Sequence, residues 1–122
     1  MENFKEVYFD KAVSQIHKEV KANVIEQYLV GNGIVSMIYN NPIDTNRQVI
    51  ITYNFNPEGQ IALTVKTKII DKTQKLNFVV LDETQKYEEW EAIERIEQEI
   101  EFSEMNLKDI EEKAKKAKEL SK

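Results

Sequence analysis

Apolar residues recur along this chain at two different periods, and the change of period divides it into three parts. In the first, Phe9, Val13, Ile16, Val20 and Val24 follow one another at steps of three and four, with Lys11, Lys18, Lys21 and Glu19 on the other faces. That spacing predicts an amphipathic helix over about Phe4 to Val30. Asn3-Phe4-Lys5-Glu6 has the form of a capping box, Asp10 offers a later start, and Gly31-Asn32-Gly33 supplies a left-handed residue to close the helix.

The middle part switches to a period of two. Ile34–Tyr39 is a short β-rich run, and Asn40 to Asn46, with Pro42, is a turn cluster. Val49, Ile51, Tyr53 and Phe55 then alternate with Gln48, Thr52 and Asn54. After the turn Asn56-Pro57-Glu58-Gly59, Ile61, Leu63, Val65 and Ile69 alternate with Thr64, Lys66 and Lys68; Leu76, Phe78 and Val80 mark a last strand. The short connections make neighbours antiparallel. The expectation is a four-stranded meander with one apolar face.

The third part returns to a helical period. Asp82-Glu83-Thr84-Gln85 has the capping-box form, and neither proline nor glycine follows Gly59. Ile93, Ile100, Leu107 and Ala114 lie seven apart, with Ile96, Ser103, Ile110 and Ala117 three residues further on. Alternating steps of three and four keep one seam against a partner helix. The expectation is a helix of about 37 residues, roughly 55 Å long, either continuous or turned back at Phe102–Met105. Tyr87 and Trp90 are expected on the sheet. Ile93, Ile96, Ile100, Leu107 and Ile110 are the candidate oligomer interface. The fold class is therefore α+β, in one domain over residues 1–122, with a core in 1–100 and a helical arm in 101–122.

Charge sharpens this picture. Residues 1–81 hold nine basic and eight acidic side chains, residues 82–104 two and ten, and residues 105–122 six and four. Acid early and lysine late suits the dipole of the last helix, and would also suit antiparallel pairing of two such helices. With 41% apolar and 32% charged residues, the chain has enough for a small core plus a long solvated helix. No apolar run approaches the roughly 18 residues that span a bilayer, and the charged start lacks a signal core. A cytoplasmic protein of a bacterial or phage-infected cell is expected.

Reactive chemistry is sparse. There is no cysteine and one histidine, His17, off the apolar stripe, so neither a soft-metal site nor a catalytic triad is expected. Glu88, Glu89, Glu91, Glu94, Glu97, Glu99 and Glu101 read as a solvated acidic face. Gly31-Asn32-Gly33 falls short of a dinucleotide fingerprint, and phosphate-loop, zinc-protease and hydrolase motifs are missing. The expectation is no enzyme, no cofactor and no catalytic or metal-binding residue. A homo-oligomeric interaction protein is expected instead, such as a phage or bacterial accessory protein that modulates a protein partner. A second expectation is a binder of a small anionic ligand, such as a nucleotide signal, held at subunit joints by Arg47 and Arg95. Arg95 also has Glu91 and Glu99 at i,i+4 spacing. A third is a nucleic-acid-associated dimer using Lys66, Lys68, Lys72 and Lys75, disfavoured because the near-neutral first two-thirds lacks a basic footprint and Tyr53, Phe55 and Phe78 alternate with the core. The order helix, antiparallel strands, helix resembles in layout the small nucleoid-associated YbaB/EbfC dimers, and only that resemblance implies DNA association.

Overall fold

The structure, a computed structural model, describes residues 4–40, 45–73 and 78–121. Asn3, Pro42, Lys75 and Leu76, on which some of the expected caps, turns and strands drew, lie outside these. The elements run α1 (Phe4–Lys21), β1 (Ile25–Gly31), β2 (Ile34–Tyr39), β3 (Arg47–Asn54), β4 (Leu63–Asp71), β5 (Phe78–Tyr87) and α2 (Glu89–Leu120). The strands form one antiparallel sheet in the order β1-β2-β3-β4-β5. The α+β class and the antiparallel meander stand, with five strands where four were expected.

The additional strand is the end of the expected first helix. Tyr28-Leu29-Val30 pairs with Val35-Ser36-Met37 across a hairpin whose two-residue turn is Asn32-Gly33. Asn32 has φ 52° and Gly33 φ 74°, the two consecutive positive values that a type I′ turn requires. The glycines therefore turn a hairpin and do not close a helix. That helix ends at Lys21, and Asn23, at φ 62°, breaks it from β1. A Cβ on Gly33 would lie 3.2 Å from Cβ of Asn56, whereas one on Gly31 would meet nothing within 4 Å. Gly33→Ala is accordingly expected to cost about 1–2 kcal/mol and to lower Tm by roughly 4–8 °C, with Gly31→Ala close to neutral. Calorimetry of both variants tests this, and an equal loss at the two positions would remove the turn argument.

The other boundary that differs is the start of the last helix. Asp82-Glu83-Thr84-Gln85 continues β5, paired with Lys68 to Val65 of β4. α2 begins six residues later, where the Glu91 carboxylate accepts from the Glu88 N–H at 3.4 Å, the return half of a capping box. α2 then runs without interruption through Phe102–Met105 for 32 residues, about 48 Å at 1.5 Å per residue.

Both helices lie on one face of the sheet. Ile16 of α1, Ile25, Val35, Met37, Tyr53, Leu63 and Val65 of the strands, Phe55 just beyond β3, and Ala92 and Ile96 of α2 form the core. Tyr87 packs against it as expected, but Trp90 does not: it is 63% exposed, its indole N–H directed at Glu88 Oε2 (3.3 Å). Phe78, expected on the apolar face, is also exposed. Among the described residues the opposite sheet face bears no helix; there Ser36 and Thr52 hydroxyls meet at 3.1 Å, and Lys66 lies 3.8 Å from Asp82.

Candidate functional site

α1 and α2 run side by side in the same direction, and the polar side chains between them converge on one point. Gln15 and Glu19, one helical turn apart, face Ser103 of α2. Gln15 Nε2 donates to Ser103 Oγ at 2.9 Å, and Ser103 in turn donates to Glu19 Oε1 at 2.6 Å. Gln15 and Ser103 are buried. Outside this relay, Tyr8 donates to Glu97 at 2.8 Å and Lys18 meets Glu104 at 2.8 Å. The Lys18 ammonium holds the Glu104 carboxyl below its usual range.

Behind the relay is a cavity of ≈ 50 Å³, bordered by Glu19, Glu99, Ser103, Tyr39, Tyr53 and Met37 among others. Burial pushes the Tyr39 and Tyr53 phenols far up, so both remain hydrogen-bond donors at any working pH. Burial also raises Glu19; the Ser103 hydroxyl opposes the rise and the neighbouring Glu99 adds to it. The space admits a few water molecules and is far below the roughly 300 Å³ at which small-ligand pockets begin. The arrangement is suited to registering two helices against the sheet: the Ser103 hydroxyl joins the Gln15 amide to the Glu19 carboxylate, so a shift of α2 by one turn would break both bonds.

The two arginines considered for an anion do not share a site. Arg47 opens β3 and borders a polar depression with Asn40, Thr45, Gln48 and Lys72. Arg95 lies on α2, 3.2 Å from Glu99, its i,i+4 neighbour, and bonds to Tyr53. Tyr53 and Arg47 are six residues apart on β3, about 20 Å at ~3.3 Å per residue. Lys66 and Lys68 are on the helix-free sheet face, while Tyr53 and Phe55 are buried beneath the helices, where no base could stack on them. His17 is exposed and sets its ring edge-on to Tyr28 at 5.5 Å. Among the described residues, no group of three or more His, Cys, Asp or Glu could hold a metal, and no helix is long and apolar enough to cross a membrane.

The seam residues divide. Ile96 is in the core, Ile100 packs against it and Ile93 is half-buried, all within the chain. Leu107 is half-buried and Ile110 exposed, and every residue from Lys108 to Ser121 is exposed. The stripe that docks α2 through Ser103 therefore continues through half-buried Leu107 to Ile110, Ala114 and Ala117, which are exposed. In the sequence Ser103 is the one polar residue of the seam rows, while nothing but i,i+4 spacing beside Ile16 singles out Gln15 and Glu19, its partners, as members of a site. Comparison with protein-family models, with curated proteins and with solved structures returns no match.

Proposed function

We propose that this is a non-enzymatic interaction protein that assembles through the free half of α2. The carrying observation is the continuity of the stripe: the face that buries Ala92, Ile96 and Ser103 against the domain runs on past it through half-buried Leu107 to Ile110, Ala114 and Ala117, which are exposed. Some 13 exposed helical residues, Lys108 to Leu120, gain little from packing on the domain, and packing of an amphipathic face is what stabilises most helices in proteins. A second helix on the stripe supplies what is missing. Charge favours an antiparallel copy: Glu104, Asp109, Glu111 and Glu112 precede Lys113, Lys115, Lys116 and Lys118, so reversing one helix against another sets acid over base.

In this reading, the Gln15–Ser103–Glu19 relay has a positioning role. It fixes α2 in register on the domain, so that the projecting half leaves at a defined place. Ile110→Asp tests the proposal. Its side chain makes no core contact, so helix content by circular dichroism should be unchanged while the native mass by light scattering falls by half or more. A native mass equal to that of the parent chain would exclude the seam as an interface.

A further inference from the structure

The sheet has two edges, and they are built differently. β5 is an edge strand carrying Asp82, Glu83 and Lys86, charges of the kind that discourage strand addition. β1, the other edge, holds a single charge, Glu26, and neither lysine nor proline. Its irregularity is confined to the start, between Ile25 and Gln27, leaving Gln27–Gly31 in regular register. Tyr28, Leu29 and Val30 are all exposed there, Leu29 at 77%.

We infer that β1 pairs with β1 of a second copy, antiparallel about a twofold axis at Leu29, to make one continuous ten-stranded sheet. The hydrogen-bond parity allows it. Gly31 and Ile34 flank the two-residue turn and bond to each other, so alternation directs the amide and carbonyl of Leu29 toward β2 and those of Tyr28 and Val30 outward. With the axis at Leu29, Tyr28 of one copy faces Val30 of the other, twice, as hydrogen-bonded pairs. Leu29 faces its own counterpart as a non-hydrogen-bonded pair.

Every side-chain pair in the centre of that register is apolar, as strand pairing favours. An axis at Tyr28 would instead set Leu29 against Gln27 and Val30 against Glu26.

α1 agrees with the same axis. Glu6, Asp10, His17 and Lys21 are exposed and recur at helical spacing on one flank, which the His17–Tyr28 contact places toward the β1 edge. The twofold axis runs the two α1 helices antiparallel, so Glu6 and Asp10 of one copy approach His17 and Lys21 of the other. A second copy is thus matched in hydrogen bonding, apolar side chains and charge.

The chain contains no cysteine, so a single introduced thiol reports cleanly. At a non-hydrogen-bonded antiparallel pair the Cα atoms are ~4.5 Å apart, within the ~4.4–6.8 Å that a disulfide spans. Leu29→Cys in the full chain should form a covalent dimer nearly completely under mild oxidation. Gln27→Cys, whose counterpart is about 13 Å away in this register, should cross-link at least tenfold more slowly. Both are made in the parent and in the Ile110→Asp chain, and the Leu29→Cys dimer should form equally in both. Failure of Leu29→Cys to cross-link, equal rates at the two positions, or a cross-link lost with Ile110→Asp would each overturn the proposal. The last outcome would assign the proximity to α2 alone.

Discussion

Replacing Phe55 by alanine is expected to remove about 3–5 kcal/mol of folding stability, the usual cost of emptying a buried aromatic site. Phe55 follows the last paired residue of β3, yet it is 2% exposed. Its N–H donates to the Gly33 carbonyl at 2.8 Å, which holds the chain against the β1–β2 turn and aims the ring inward. There it meets Phe9 edge-on at 5.7 Å, Phe4 at 6.3 Å and Tyr53 at 6.5 Å. These rings come from α1 and β3, so the cavity left by alanine opens where helix and sheet meet and cannot be closed by moving one loop. Domains of this size are stable by about 5–15 kcal/mol, so the variant would lose a large share of its stability. Urea titration measures it. Phe55→Leu, which keeps most of the volume, should recover more than half of the loss; a loss under about 1 kcal/mol for alanine would mean that the ring cluster contributes little.

Ser103→Ala is expected to be a pH-dependent lesion. One hydroxyl serves the buried Gln15 and the half-buried Glu19, so its removal takes one acceptor from the Gln15 amide and the Ser103 donor from the Glu19 carboxylate. An orphaned buried group costs about 1–3 kcal/mol, more when charged. Glu19 is already raised by burial, with Glu99 adding to the rise and Ser103 the opposing influence; Lys18 is engaged with Glu104 on the outer side. A raised folded-state pKa means that the neutral form is favoured on folding. Glu19 therefore contributes stability below the ordinary glutamate range, and that contribution is lost as pH rises through the higher folded-state value.

Removing the hydroxyl raises Glu19 further and deepens this loss. The penalty for Ser103→Ala should be about 2–3 kcal/mol at pH 7 and about 1 kcal/mol near pH 4, compared by urea titration at the two pH values. Equal penalties would show that Glu19 does not use the Ser103 hydroxyl, and Glu19→Gln in the same background should flatten the difference.

Where one face of an element is buried and the other wet, the sequence was legible. β3 and β4 alternate because their inward residues, such as Tyr53 and Val65, lie under helices, and the meander follows from short connections. β5 could not be read that way. Between Asp82 and Gln85 it is exposed, so no alternation develops, and an acidic stretch ending in glutamine imitates a helix start. Tyr28-Leu29-Val30 could be joined to the helical stripe before it, and only the Asn32-Gly33 dipeptide, a strong hairpin signal, argued otherwise. The polar relay was harder still: Gln15 and Glu19 are 88 and 84 residues from Ser103, and no local pattern reports a contact of that span. The seam was visible as a period, but a period does not tell which turns of a helix are spent inside the chain.

The order of the strands has a kinetic corollary. Each strand pairs with the next along the chain, so the sheet can zip up through short loop closures, the inexpensive and rapid kind. α1 is different. Its contacts with Glu97, Ser103 and Glu104 await the far end of the chain. On a ribosome the apolar stripe of α1 could settle on the early strands as they emerge, but Tyr8, Gln15 and Glu19 would lack their α2 partners until most of the sequence had been made. The α2-facing flank of α1 is therefore the last part of the helix to be covered, and it closes only when the middle turns of α2 arrive.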